Sequence, residues 1–434
     1  MSLAIIAIFT VLLLFVLFLV GFEIGFAMAL AGFIGYALIV SVEGALNLLA
    51  MDIFSVFSSY GLIVIPLFVL MGQIGATGGI SRNLYQSAYK FAGHVPGGLA
   101  IATIAAATAF KAICGSSPAT AATFATIAVP EMDRYEYDKR LSCGTVATVG
   151  TLGVIMPPSV TLIIYGIITE TSIGMLFLAG IIPGLLMAFS FIVTIFCWCK
   201  INPMLGPRAA EKSTWKERVI SLAPLSWVMA VFLAVVGGLM TGFFSPTEAG
   251  SVGTFAVLLL VVLKKDINLK GFIKSVLDSL RIACMVLTLI LGATVLGHFF
   301  AVTKIPYIVS DWLGSLSVDR SIIIMIIIFV ILIGGSFIED LAFVILAIPI
   351  FIPLVLKLGY DPVWFGVIVC VTTMIGIILP PMAINVFVVS GITKVPMNTV
   401  YKGVYPFIGA MSVCLLILVY FPAISLWLPK LLMK

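Results

Sequence analysis

Gly153-Val-Ile-Met-Pro-Pro158 returns as Gly376-Ile-Ile-Leu-Pro-Pro381, 223 residues further on, and both copies interrupt long apolar segments. Each proline ring fixes φ, removes an N–H donor and disfavours helix in the residue before it, so a double proline ends a helix. In hydrocarbon such an end leaves carbonyls without partners. It persists only where protein, water or a bound ion takes them up. Matching breaks in two half-sequences are the pattern of a secondary transporter with its site between internal repeats.

Composition agrees with a chain built for lipid. Of its 434 residues 62% are hydrophobic and 9% charged, whereas a soluble domain carries about a quarter charged residues. Apolar runs long enough to span recur from residues 3–20 to residues 407–428. The expected fold class is therefore an all-α polytopic membrane protein; an outer-membrane barrel would alternate in segments of roughly ten residues. Residues 3–20 have no positive n-region and no cleavage-like site, so they read as the first span. The net charge of +5 sits in short loops, where it orients spans and suggests no nucleic-acid partner. None of the seven cysteines belongs to a CxxC pair, and they read as buried small hydrophobes. Walker A, HExxH and GxSxG patterns are absent, which argues against an enzyme and against ATP as the driving force.

The repeat extends beyond the prolines. Tyr137-Asp138 pairs with Tyr360-Asp361 and Pro130 with Pro353 at the same offset of 223, Gly115-Ser116 with Gly335-Ser336 at 220, and Gly21 with Gly242 at 221. Two repeats follow, roughly 1–200 and 219–434, joined by a polar linker. Within them the expected parts are scaffold helices at 1–92, a moving part at 93–180, and a stretch at 181–315 holding the final helix of the first repeat, linker 200–218 and the second scaffold. A second moving part at 316–402 and a C-terminal helix at 403–434 complete the chain.

Charge indicates that the repeats are inverted. The linker carries Lys200, Arg208, Lys212, Lys216 and Arg218 against Glu211 and Glu217, which makes it cytoplasmic; Lys264, Lys265, Lys270 and Lys274 cluster on the same side. The loop expected at 41–52 in the first repeat has Glu43 and Asp52 and no lysine or arginine. Its later loops are richer in cations (Arg82, Lys90, Arg134, Lys139, Arg140) than their second-repeat counterparts, with Lys304 and Lys357. The N-terminus is then periplasmic, with Lys430 and Lys434 dissenting.

Segments 99–109 and 119–129 are each too short to cross a core of about 30 Å at about 1.5 Å per residue. With the turn Cys114-Gly-Ser-Ser-Pro118 between them they read as a re-entrant hairpin. Segments 322–333 and 341–352 around Gly334-Gly-Ser-Phe-Ile-Glu-Asp340 read as its counterpart. Two ordinary spans with a kink are the alternative.

Each hairpin tip and break offers oxygens. The first has the hydroxyls of Ser116, Ser117 and Thr120 beside the carbonyls of 151–156; the second has Gly335, Ser336, Thr372, Thr373 and the carbonyls of 376–379. Unwound carbonyls and half-helix ends are a known way to hold Na⁺, so two pseudo-symmetric cation sites are expected, against plain helix–helix hydrogen bonding. A small anion between the tips would meet half-helix N-termini, with Thr120, Thr161, Glu339 and Asn385 as candidate contacts. Glu339 and Asp340 are costly at membrane depth and hence functional by default, unless they lie in water at the hairpin tip. Lys111 is expected to snorkel to the interface, or else to counter a carboxylate or substrate charge. His298 reads as packed rather than as a proton relay.

The chain resembles the large membrane subunit of the tripartite ATP-independent periplasmic (TRAP) transporters over nearly its whole length. The resemblance rests on Gly115-Ser-Ser-Pro-Ala-Thr-Ala-Ala-Thr123, Ile127-Ala-Val-Pro-Glu-Met132, the first break with Tyr165-Gly166 beyond it, and Phe244-Ser-Pro-Thr-Glu-Ala249. It implies an elevator-type transporter in a bacterial inner membrane, Na⁺ as coupling ion, and a small four-helix membrane subunit. It also implies a periplasmic substrate-binding protein that delivers a small organic anion, a carboxylate or sulfonate. Carried over by position, one Na⁺ site falls on Ser116, Ser117, Gly153, Met156 and Pro158, and the other on Gly335, Ser336, Thr373, Gly376, Leu379 and Pro381. Glu23 replaces a frequent proline and suggests a partner or interfacial role. Lys111 stands where a small residue is expected. A stand-alone Na⁺/anion symporter and a channel are the competing readings.

Overall fold

The computed structural model describes residues 3–208, 213–315 and 318–433; Glu211, Lys212 and Lys434, used in the orientation argument, lie outside them. Among the described residues every regular element is helical. The first repeat runs α1 (Leu3–Leu19), α2 (Ile24–Ile39), α3 (Val42–Phe57), α4 (Val64–Thr77), α5 (Ile80–Ala92), α6 (Gly98–Lys111), α7 (Ser117–Arg134), α8 (Lys139–Thr151), α9 (Val160–Ile168) and α10 (Ile173–Ile201). A short α11 (Trp215–Ser221) follows. The second repeat runs α12 (Ala223–Met240), α13 (Pro246–Leu263), α14 (Leu269–Thr303), α15 (Ile305–Ser315), α16 (Arg320–Phe337), α17 (Asp340–Lys357), α18 (Pro362–Gly376), α19 (Ile384–Thr393) and α20 (Met397–Tyr420), before a closing α21 (Ala423–Leu432). Eight of the described helices are long and apolar enough to cross a membrane.

The two halves have one plan. α12 answers α1, α13 answers α2, and α15 to α20 answer α5 to α10. α14 covers in one 35-residue helix what α3 and α4 cover with an interruption. The matched residues explain themselves locally. Gly21 and Gly242 both take positive φ, +82° and +69°, after α1 and α12, a conformation glycine adopts without a Cβ penalty. Asp138 and Asp361 cap α8 and α18, accepting from the backbone N–H of Arg140 and of Val363. The Arg140 guanidinium hydrogen-bonded to Asp138 holds that carboxyl below the usual carboxylate range. In Phe244-Ser-Pro-Thr-Glu-Ala249, Ser245 and Glu248 form a reciprocal capping box with Pro246 in the first turn.

Helices pair across the repeats in reciprocal fashion. α2 packs on α14 and α13 on α4; α7 packs on α19 and α17 on α9; α8 packs on α20 and α18 on α10. These exchanges are what two inverted-topology repeats produce when they close on each other. Small residues set the separation. A Cβ on Gly292 would lie 2.1 Å from the Gly25 carbonyl oxygen, and one on Gly144 would lie 2.4 Å from the Gly403 carbonyl carbon. Asn385, on α19, ties the same halves by hydrogen bonding: its Nδ2 donates to Ser117 Oγ at 3.0 Å and to the Ala147 carbonyl at 3.0 Å.

Several expectations need correction. Residues 42–57 form α3, capped by Ser41 Oγ, so Asp52 is no loop acid. Its carboxylate meets His298 Nε2 at 3.0 Å across the repeat boundary, and His298 is thus a packed histidine with an acidic partner. Glu23 caps α2, accepting from the Phe26 N–H at 3.3 Å, and is exposed. The first part of linker 200–218 is tied to the body: the Gly206 carbonyl accepts from Gly97 N–H and the Leu205 carbonyl from Asp138 N–H. Arg218 lies over the Phe91 and Trp215 rings. The hairpin arms outrun their apolar cores, because helix continues through polar flanks. α6 has 14 residues, and α7, α16 and α17 have 18 each. Boundaries expected at 180/181 and 402/403 fall inside α10 and α20.

Gly144→Val should destabilise the folded chain by about 3 kcal/mol or more, since backbone and not a yielding side chain lies opposite. Gly409→Ala, with nothing within 4 Å of the added carbon, should leave the detergent unfolding midpoint unchanged or slightly higher. Asn385→Ala should lower stability by about 1–3 kcal/mol by leaving buried polar groups unpaired, measured in the same unfolding assay.

Candidate functional site

Each hairpin tip lies against the helix break of its own repeat. At the first, a Cβ on Gly153 would sit 3.1 Å from Ser116 C and 3.1 Å from Ser117 N, and one on Gly115 would sit 2.4 Å from the Pro158 carbonyl oxygen. At the second, a Cβ on Gly376 would sit 2.8 Å from Gly335 C, and the Met382 N–H donates to the Ser336 carbonyl at 3.1 Å. The approach needs glycine at 153 and 376, because any side chain there would hold tip and break apart. The 220-residue offset between Gly115-Ser116 and Gly335-Ser336 is therefore a spatial equivalence. Locally the tips differ. Ser116 caps α7, whereas Gly335 and Ser336 lie in the last turn of α16 and Glu339 caps α17.

The oxygens expected to ligate a cation are gathered at these two contacts. Ser336 Oγ donates to the Leu332 carbonyl and Thr373 Oγ1 to the Val369 carbonyl, which leaves the lone pairs of both hydroxyls free to accept. Thr372 Oγ1 donates in the same way to the Ile368 carbonyl. Gly376 and Leu379 stand at the α18 end, with Pro381 beyond. At the first break every residue from 151 to 160 is buried, Met156 and Pro158 included, although Gly153, Val154 and Val160 line a cavity. At the second break Pro380, Pro381 and Met382 are exposed. Both Pro–Pro bonds are cis.

Lys111 departs from expectation. It does not snorkel but is fully buried, because α6 ends beneath its own tip. Its Nζ donates to the Ser116 carbonyl at 2.9 Å and to Thr120 Oγ1. A Cβ on Gly153 would lie 2.4 Å from that Nζ.

A cavity of about 450 Å³ opens between the tips and helices α4 and α14. Ser116 and Ser117 line it from the first tip, Thr161 from the start of α9, and Glu339 and Asp340 from the second tip. The N-terminal ends of α7, α9 and α17 thus converge on it, each with the partial positive charge of unpaired N–H groups. Thr120 and Asn385 do not line it, since both are fully buried and already hydrogen-bonded. Of the candidate substrate contacts, Thr161 and Glu339 reach the cavity.

The opposite wall comes from Gln73 on α4 and Asp278 and Arg281 on α14. Arg281 lies 3.6 Å from Asp278 and is largely exposed. Sequence reasoning passed over it, although an arginine in the long apolar α14 is the kind of intramembrane charge that marks a site.

Residues 11–424 match the family described as tripartite ATP-independent periplasmic transporter, DctM component. The chain is 34% identical to the C4-dicarboxylate TRAP transporter large permease protein DctM of Pseudomonas aeruginosa, over 88% of this chain and 89% of that one. It is 31% identical to the sialic acid TRAP transporter large permease protein SiaM of Vibrio cholerae, over 95% of each. It is 32% identical to the isethionate TRAP transporter permease protein DctMQ of Oleidesulfovibrio alaskensis, over 95% of this chain and 65% of that longer one. Among solved structures it is similar in fold to the Alcanivorax borkumensis YdaH transporter, with a TM-score of 0.61, 14% identity, and coverage of 90% and 91%. A chain with two inverted repeats, two tips set on two breaks and these relatives belongs to the DctM family of TRAP transporter large permeases.

Proposed function

We propose that the chain carries a small organic anion inward across a bacterial inner membrane, coupled to Na⁺, with a small four-helix membrane subunit and a periplasmic binding protein that delivers the substrate. The N-terminus is periplasmic in this reading. The observation that carries it is the cavity between the hairpin tips and the scaffold wall. Three helix N-termini and Arg281 face it, beside the carboxyl groups of Asp278, Glu339 and Asp340; the N-termini and the guanidinium are the groups that would hold an acid group. The substrates in the relatives' names, a C4-dicarboxylate, isethionate and sialic acid, each carry an acid group.

The cavity lies on the boundary between the tip-and-break parts and helices α4 and α14. A rigid movement of the former past the latter would open it to one side and then the other, which is the elevator reading. The coupling Na⁺ would sit at the second contact, held by Ser336 and Thr373 hydroxyls and by carbonyls of Gly335, Gly376, Leu379 and Pro381. The first set of oxygens (Ser116, Ser117, Gly153, Met156, Pro158) is the pseudo-symmetric candidate, and Lys111 already touches it.

Proteoliposomes holding the chain with its small subunit should accumulate succinate, isethionate or sialic acid only with the binding protein and an inward Na⁺ gradient. Uptake without the binding protein would replace this reading with the stand-alone symporter, and flux far above carrier turnover would favour a channel. Arg281→Ala should cut uptake about tenfold or more, as the loss of a charged hydrogen-bond donor worth about 1.5–3 kcal/mol implies. Thr373→Ala should raise the half-saturating Na⁺ concentration about fivefold, the equivalent of about 1 kcal/mol. Unchanged Na⁺ activation in that variant would remove its hydroxyl from the ligand set.

A further inference from the structure

We propose that the Lys111 ammonium is a built-in cation that fills the first oxygen site permanently, so that the chain takes up Na⁺ at the second site alone. The inference rests on the cation-coupled reading above and concerns how the pseudo-symmetric pair is shared between a mobile ion and a side chain.

Geometry carries it. Nζ stands between the first tip and the first break, on the Ser116 carbonyl, on the Thr120 hydroxyl and against the Cα face of Gly153. Ser116 and Gly153 belong to the set expected to hold the first Na⁺. An ammonium offers three donors and no acceptor, so oxygen lone pairs that would face a sodium ion face it equally well. No carboxylate forms an ion pair with Lys111 among the described residues. An unpaired charge buried in a membrane protein persists only where oxygen dipoles replace its water. Here the tip supplies them, as it would for an ion.

The second repeat is the control that the molecule supplies. At the 220-residue offset that relates Gly115-Ser116 to Gly335-Ser336, Lys111 corresponds to Ile331; past the tip, where the offset is 223, Ser117 at the start of α7 corresponds to Asp340 at the start of α17. The second tip thus has no side-chain cation, and gains a carboxylate. Ile331 is fully packed and Asp340 is buried. Access differs in the same sense. Lys111 itself is fully buried, whereas the second break exposes Pro380, Pro381 and Met382. A site with a resident charge needs no path for exchange, whereas a site that loads and releases an ion does.

The test counts bound sodium. The full chain, purified with its small subunit in detergent, is titrated with ²²Na⁺ in choline buffer to obtain ions bound per chain. The native protein should bind one Na⁺, with binding weakened about fivefold by Thr373→Ala. Lys111→Ala should bind one more than the native protein, and its unfolding midpoint should rise with NaCl but not with choline chloride. Lys111→Ser serves as a second variant with the same expectation. Two sodium ions on the native protein would overturn the proposal. So would a count unchanged in both variants, or variants that stay unfolded in NaCl as in choline. Sodium absent from the native protein but present once in Lys111→Ala would support Lys111 as the occupant of the first site and overturn uptake of Na⁺ at the second.

Discussion

Backbone polarity at the two Pro–Pro breaks is the constraint from which the rest follows. A helix that stops inside an apolar segment exposes carbonyls and N–H groups that lipid cannot satisfy, so each break must be covered by something polar and close. Each break packs against its own hairpin tip. Ser159 Oγ takes the Val154 carbonyl at the first break, and the Ser336 carbonyl takes the Met382 N–H at the second. Glycine at 153 and 376 allows the approach, and re-entrant arms bring the tips to that depth. The cavity, the candidate ion ligands and the N-terminal ends of α7, α9 and α17 are all by-products of closing those two gaps.

Two-fold symmetry is a property of the backbone plan more than of the chemistry laid on it. Helix order, capping aspartates, left-handed glycines and reciprocal packing repeat faithfully. Charge does not. The first tip holds a buried ammonium without a carboxylate, while the second holds Glu339 and Asp340 without an ammonium. The scaffold departs as well, since α14 is continuous where α3 and α4 are interrupted. A symmetric frame with unequal contents allows one half to bind what the other half already has.

Much of the fold was legible because its signals are local. Double prolines stop helices wherever they stand, Asp138 and Asp361 cap the helices they precede, and apolar length announces a span. The hairpins were legible as interruptions, though their arms ran longer than the apolar runs suggested. The site was legible in part. Residues on tips and breaks are adjacent to their own signals, so Ser116, Gly153, Ser336 and Gly376 could be named from sequence. Asn385 could not be assigned correctly, because its partners Ser117 and Ala147 lie in the other half of the chain. Lys111 was misplaced for a related reason: a lysine near a helix end usually reaches water, and only the tip folded back over it shows that it cannot. Arg281 comes from a scaffold helix that no tip or break adjoins.

The Asn385 bonds join the helix after the second break to the tip before the first. If the tip-and-break units move as proposed, these bonds would couple the displacement of one to the other. A carrier made of two independently hinged halves could let one occupied half cross while the other stayed behind, and would leak the gradient that drives it. Stitching the halves through a dry, fully hydrogen-bonded amide makes partial crossing mechanically costly. Fidelity of energy conversion would then depend on a side chain that touches neither ion nor substrate.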